Sequence, residues 1–275
     1  MGLILNGGSP NKIIYNGAEV SLYFNGSKIW PNGSPTPPGP DPYNPLNLPS
    51  NTVRVRTSDG NPPVKDEYLT KYETATLVPG TTDVYDVYKS GNSFLGLLML
   101  STNIIEVLGA NTTGITNMYS MFASCTSLTT VSLFDTSDVI YMDYMFDYCT
   151  SLTSIQLFDT SKVKTMEHTF NNCTSLTNVP LFDTSNVTSM YETFKNCTSF
   201  TYIPLFNTSK VTEMYNTFYN CRNVQSGALA LYQQASTQTT PPSSHNGTFQ
   251  GCGEDTTTGL AELEQIPYTW GGKAY

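Results

Sequence analysis

The sequence predicts an α/β repeat solenoid of about six 24-residue coils, preceded by a small all-β N-terminal segment and a β-rich cap. Three observations carry that prediction. Cysteines recur at Cys125, Cys149, Cys173, Cys197 and Cys221, always 24 residues apart. Apolar residues hold fixed offsets from them: Phe122, Phe146, Phe170, Phe194 and Phe218 lie three before, and Met118, Met142, Met166, Met190 and Met214 seven before. Asn-Gly pairs punctuate the first 30 residues, and a proline-rich run separates them from the rest. Self-similarity at such a period marks stacked units, because one unit alone cannot bury its apolar face.

Within a unit, Leu152, Ile155 and Leu157 follow Cys149, and the last two are spaced at the strand period of two. Val131 and Leu133, Val179 and Leu181, and Ile203 and Leu205 repeat this pair, so these residues are expected to face the interior of a parallel strand ladder. Val139, Met142, Phe146 and Cys149 are spaced three, four and three apart, the helical period. Asp135-Thr136-Ser137, repeated at 159–161 and 183–185 and as Asn207-Thr208-Ser209, supplies a turn or helix cap between the two pieces. The first unit is degenerate, with Ile104 and Val107 in the strand positions and Ser101 replacing cysteine. The last is degenerate too: Phe249 and Cys252 keep their offset, and the insertion before them contains a predicted helix from Gly227.

The runs MFASCTSLTTV (121–131) and TFKNCTSFTYIP (193–204) resemble the BspA-like leucine-rich repeats, and FDTSNVTSM (182–190) resembles their DUF285 variant. The resemblance covers about residues 98 to 266. It implies a leucine-rich-repeat fold and a place among surface proteins of gut and oral bacteria, mycoplasma lipoproteins or bacteriophage proteins.

The chain divides in sequence into a β-meander at 1–30, a proline-rich linker at 31–50, a β-rich cap at 51–97, the repeats at 98–252 and a C-terminal cap and tail at 253–275. Asn6-Gly7, Asn16-Gly17 and Asn25-Gly26 predict hairpins, since type I′ turns need positive φ at both central residues. A 30-residue meander is too small to be stable alone, so it is expected to dock on a partner through Ile13, Tyr15, Leu22, Phe24 and Trp30. These hairpins also resemble N-terminal pieces of some phage structural proteins. Strands are expected at 53–56, 74–78 and 84–88, shielding the open edge of the first unit.

A net charge of −9 without a Lys/Arg cluster argues against nucleic-acid binding. The longest apolar run, 94–100, is too short to cross a membrane, which takes roughly 20 residues. The N-terminus does not read as a secretory signal. Only His168 and His245 exist, and no nucleophile–base pairing, phosphate loop or opposed carboxylate motif stands out. The chain is therefore expected to be no enzyme and to need no cofactor or metal.

The core ladder of Cys125, Cys149, Cys173, Cys197 and Cys221 reads as reduced, buried packing, because equivalent stacked thiols have no natural partition into pairs and zinc-type spacing is absent. The Asp135, Asp159 and Asp183 ladder reads as turn capping or as a site for a divalent cation. On the outer side of the helical piece, paired positions vary while their neighbours repeat, and Tyr119, Tyr144, His168, Tyr191 and Tyr215 are the candidate binding residues; tyrosine offers large contact area at low entropy cost. The expected function is display within a phage virion, as head or tail fibre or decoration. The N-terminal segment would dock on other virion proteins in an oligomeric or particle-bound form, and the repeats would bind a host-surface glycan or protein. A bacterial cell-surface adhesin is the alternative.

Overall fold

The computed structural model describes residues 46–66, 68 and 71–274, and the backbone of four N-terminal strands. The chain forms two compact units, Met1–Asp41 and Pro42–Tyr275. In the first, β1 (Ile13–Tyr15) pairs antiparallel with β2 (Ala18–Val20), and β3 (Leu22–Phe24) with β4 (Ser27–Ile29). Each pair brackets one Asn-Gly dipeptide, as the hairpin signal demands. The four short strands pair as two two-stranded sheets among the described residues. The expected docking side chains of Ile13, Tyr15, Leu22 and Phe24, and all of Trp30, lie outside the described residues.

The second unit opens with a mixed sheet in the order β6-β7-β5-β8-β9. Its strands are β5 (Thr52–Thr57), β6 (Thr74–Leu77), β7 (Val84–Tyr88), β8 (Ile104–Asn111) and β9 (Thr130–Val131). Alternation puts Val53, Val55 and Val87 on the buried face. On the other face Arg54 donates two hydrogen bonds to the Asp86 carboxylate, at 2.6 and 2.8 Å, and Arg56 pairs with both Asp83 and Glu106. Strand β8 is antiparallel to β5 and parallel to β9. It thereby joins the antiparallel sheet to the first 24-residue unit. The architecture is an open mixed sheet with few helices, continued by a repeat-containing region.

Successive units are joined by parallel bridges that run from Ser93 through Asn117, Tyr141, Thr165, Ser189 and Glu213 to Ser244. The segment expected to be helical is not a helix. In residues 118–125, alternate amides point to different partners. Met118, Ser120, Phe122 and Ser124 donate to carbonyls of the next unit, at Tyr141, Asp143, Met145 and Asp147. Met121, Ala123 and Cys125 instead close turns onto residues three back, Met118, Ser120 and Phe122. The same alternation recurs one unit on, where Tyr144, Phe146 and Tyr148 donate to Glu167, Thr169 and Asn171. Every fourth residue is left-handed: Ser120 and Ser124, Tyr144 and Tyr148, His168 and Asn172, Glu192 and Asn196, and Asn216 and Asn220 have φ between 51° and 59°.

The physical reason is spacing. Helices pack ~8–10 Å apart, whereas hydrogen-bonded strands lie ~4.8 Å apart. The phenylalanine rings of neighbouring units stack at 5.3–5.5 Å from Phe122 to Phe218. No helix fits that step, so the segment flattens into turns that bond sideways. The apolar spacing of three, four and three fits such turns as well as it fits a helix.

Two further expectations are corrected on the opposite side. The strands expected at 53–56, 74–78 and 84–88 and at Ile104 and Val107 form, but of the strand segments expected in the later repeats only Thr130–Val131 forms one. Later units keep one amide bond per step along Thr129, Thr153, Thr177 and Thr201, and Pro180 and Pro204 have no N–H to add to a ladder. The leucines after the strand positions also point outward from the second repeat on: Leu157 and Leu181 are each 59% exposed and Leu205 is exposed too, while Leu133 is partly buried against the core. The residues behind them, Phe134, Phe158, Phe182 and Phe206, are buried; Phe158, Phe182 and Phe206 pack against the Phe146, Phe170 and Phe194 rings, and Phe134 against Phe158.

The core runs without a break from Val53 to Trp270. The predicted helix after Gly227 is α1 (Ala228–Thr237). Gly227 has φ 103°, and a Cβ there would lie 2.2 Å from the Ile203 carbonyl oxygen, so only glycine fits. Helix α2 (Thr257–Leu263) is capped by the Thr256 hydroxyl, which accepts from the Gly259 amide. Beyond it, Trp270 stacks on His245 at 4.2 Å and closes the C-terminal end of the repeats.

Candidate binding surface

The left-handed turns decide what the outer face presents. Each unit offers two adjacent positions, and the aromatic residue occupies the first in Tyr119, Tyr191 and Tyr215 but the second in Tyr144 and His168. Despite that shift, the five rings form one column. Tyr119 and Tyr144 lie 5.2 Å apart and tilted, Tyr144 and His168 are stacked at 4.4 Å, His168 and Tyr191 are tilted at 5.2 Å, and Tyr191 and Tyr215 are stacked at 5.4 Å. Each such pair adds about 0.5–1.5 kcal/mol beyond area burial. The ends of the column, Tyr119 and Tyr215, are exposed, while its middle is half-buried.

Where the ring takes the second position, the first carries an acid. Asp143 is buried, accepting from the Thr165 hydroxyl at 2.7 Å and the Glu167 amide at 2.9 Å. Where the ring takes the first position, the second holds Ser120, Glu192 or Asn216, and Glu192 is the acid among them. Its carboxylate accepts from Lys195 at 2.8 Å and Asn216 at 3.2 Å, and lies 3.6 Å from the His168 ring. Burial lowers the His168 pKa, against the opposing pull of Glu192 and Glu167, so the ring is neutral at neutral pH. Burial, reinforced by Asp143, Glu167 and Asp147, pushes the Tyr119 hydroxyl up; burial does the same to Tyr144.

Beside the column lies a shallow depression of about 450 Å³, lined by Asn117, Tyr119, Tyr141, Asp143, Tyr144, Thr165 and Glu167. Tyr141 reaches it from the bridge position and is 47% exposed. Sequence reasoning passed over Tyr141 because its column otherwise holds Asn117, Thr165, Ser189 and Glu213 and has no repeating character. It also passed over the amide ladder on the next left-handed column, where Asn220 donates to Asn196 at 2.9 Å and Asn196 to Asn172 at 3.0 Å. Three asparagines at one offset were the available signal.

The other candidate positions have structural partners. In each Asp-Thr-Ser turn the acid accepts from the serine amide, as Asp135 does from Ser137, Asp159 from Ser161 and Asp183 from Ser185. The threonine bonds to the next unit, Thr136 to the Asp159 carbonyl at 2.9 Å and Thr160 to that of Asp183. Cys125, Cys149, Cys173, Cys197 and Cys221 are free and buried. Each thiol donates to a carbonyl one unit back, such as Cys149 to Phe122 at 3.1 Å. Burial raises all of them, Cys125 to about 12. Among the described residues no cluster of three or more His, Cys, Asp or Glu is arranged to hold a metal ion, and no helix is long and apolar enough to cross a membrane.

A stack of like units with a varied outer face defines a repeat protein. The family model described as "Mycoplasma protein of unknown function, DUF285" matches residues 99–201 and 153–241, which together span just over half of the chain. The chain belongs to that family. No curated protein and no solved structure matches it.

Proposed function

We propose that this chain is a non-enzymatic display protein whose units stack as a leucine-rich-repeat solenoid of about six coils and whose aromatic column binds a host-surface glycan or protein. The observation that carries the reading is the continuity of the column. Five rings from five units are held in line although the sequence position that supplies them changes. Regular backbone with a varied, tyrosine-rich outer face suits recognition, since rigid aromatic side chains lose little entropy on contact. The proposed setting is a phage virion, as a head or tail fibre or decoration, with the two N-terminal hairpins docking on other particle proteins. A bacterial cell-surface adhesin is the second reading, favoured by the cellular organism named in the family description.

The test is adhesion of the labelled full chain to intact bacterial cells and to an immobilised glycan array. Tyr191→Ala and Tyr215→Ala are expected to weaken adhesion at least about tenfold while still melting cooperatively, with the transition lowered only by the lost ring contacts. Undiminished adhesion in both variants removes the column from the binding surface. Antibody against the chain is expected to detect it in purified particles, and its recovery only in the cell envelope fraction selects the adhesin reading.

A further inference from the structure

We propose that the depression beside Tyr119 and Tyr144 holds a quaternary ammonium group. This rests on the binding reading above and names the ligand class for one part of that surface. Tyr119 and Tyr144 have their ring planes inclined at 38°, and Tyr141 borders the same space. The faces of such rings carry partial negative charge and attract a cation within about 6 Å of the ring centre.

The charges around the space have one sign. Asp143 and Glu167 line it, and the charged groups that act on the Tyr119 hydroxyl are Asp143, Glu167 and Asp147. A neutral sugar gains nothing from that field. A divalent ion needs several free oxygens, but both Asp143 oxygens are already bonded, to Thr165 and to the Glu167 amide, and no metal-binding cluster exists among the described residues. A primary ammonium brings three N–H donors that each want an acceptor. A quaternary ammonium has no N–H to satisfy and keeps its charge at every pH. It needs only ring faces and an anionic field, which this space supplies.

The probe is choline chloride, titrated into the full chain and followed by NMR chemical shifts, with 3,3-dimethylbutan-1-ol as the uncharged isostere. Choline is expected to saturate, and the isostere to bind about tenfold more weakly. Tyr141→Ala is expected to weaken choline about threefold, the effect of removing one exposed ring face, while Tyr141→Phe keeps it. Glu167→Gln is expected to weaken choline but not the isostere. Equal affinity for choline and the isostere, or no saturable choline binding, overturns the proposal. If Tyr191→Ala or Tyr215→Ala still weakens cell adhesion in that case, the binding column stands and only the ligand class fails; if neither does, both fail. Where choline binds, phosphatidylcholine vesicles and phosphocholine-conjugated dextran separate a lipid source of the group from a glycan source.

Discussion

Asp147 is the residue where the stack is least at ease. Burial raises its carboxyl to about 6, against the hydrogen bond from Asn171 that lowers it. That bond, from Asn171 Nδ2, is 2.9 Å, yet Asn171 Oδ1 is buried with no hydrogen-bond partner. Because the folded pKa lies above the ordinary value of 3.8, the unfolded chain ionises first as pH rises. The contribution is fully present below about 4 and is lost as pH climbs to about 6. Asp147→Asn removes this loss and keeps an oxygen that accepts from Asn171, as Asn172 does from Asn196. The variant is expected to exceed the parent by roughly 1–2 kcal/mol at pH 7.5, after discounting for partial exposure, and by little at pH 4. Denaturant unfolding at both pH values checks this, and an advantage independent of pH removes the carboxyl as its source.

At the scale of the element, the choice between Leu157 and Phe158 separates pattern from packing. The strand period of two selects Leu157 after Ile155, but Leu157 is exposed and Phe158 is buried. Phe158→Ala is therefore expected to cost about 3–5 kcal/mol, and Leu157→Ala less than about 0.5 kcal/mol, as read from thermal or denaturant melts. Comparable losses from the two restore an inward leucine. The 24-residue period was legible because cysteine, phenylalanine and methionine recur without gaps, and so were the Asp-Thr-Ser turns and α1. The backbone between them was not legible. Turns that bond sideways and helical turns place apolar residues at nearly the same intervals, and nothing in Tyr148, His168 or Glu192 announces positive φ as glycine would. The candidate rings could be chosen as variable outer residues, but their alignment depended on left-handed turns invisible to spacing.

For the whole molecule, the units follow one another by hydrogen bonds of constant offset, as in Phe122 to Met145, Phe146 to Thr169 and Phe170 to Thr193. Stability in such an array is close to a sum of unit and neighbour terms. Removing residues 150–173, one whole period, is expected to leave a cooperatively melting protein with a lower transition temperature. Removing 151–173, one residue fewer, shifts every later side chain against its neighbour and is expected to abolish cooperative melting. Circular dichroism melts distinguish the two, and equal behaviour means that register does not govern the fold. The two ends close differently, with the antiparallel sheet through β8 at one and the Trp270–His245 pair at the other.

The buried sulfur column gives the protein an internal clock. All six thiols are enclosed, and those of Cys125, Cys149, Cys173, Cys197 and Cys221 are tied to main-chain oxygens. An alkylating reagent therefore meets no reactive sulfur until the units part, and the order in which the six positions become modified records the order in which the array comes undone.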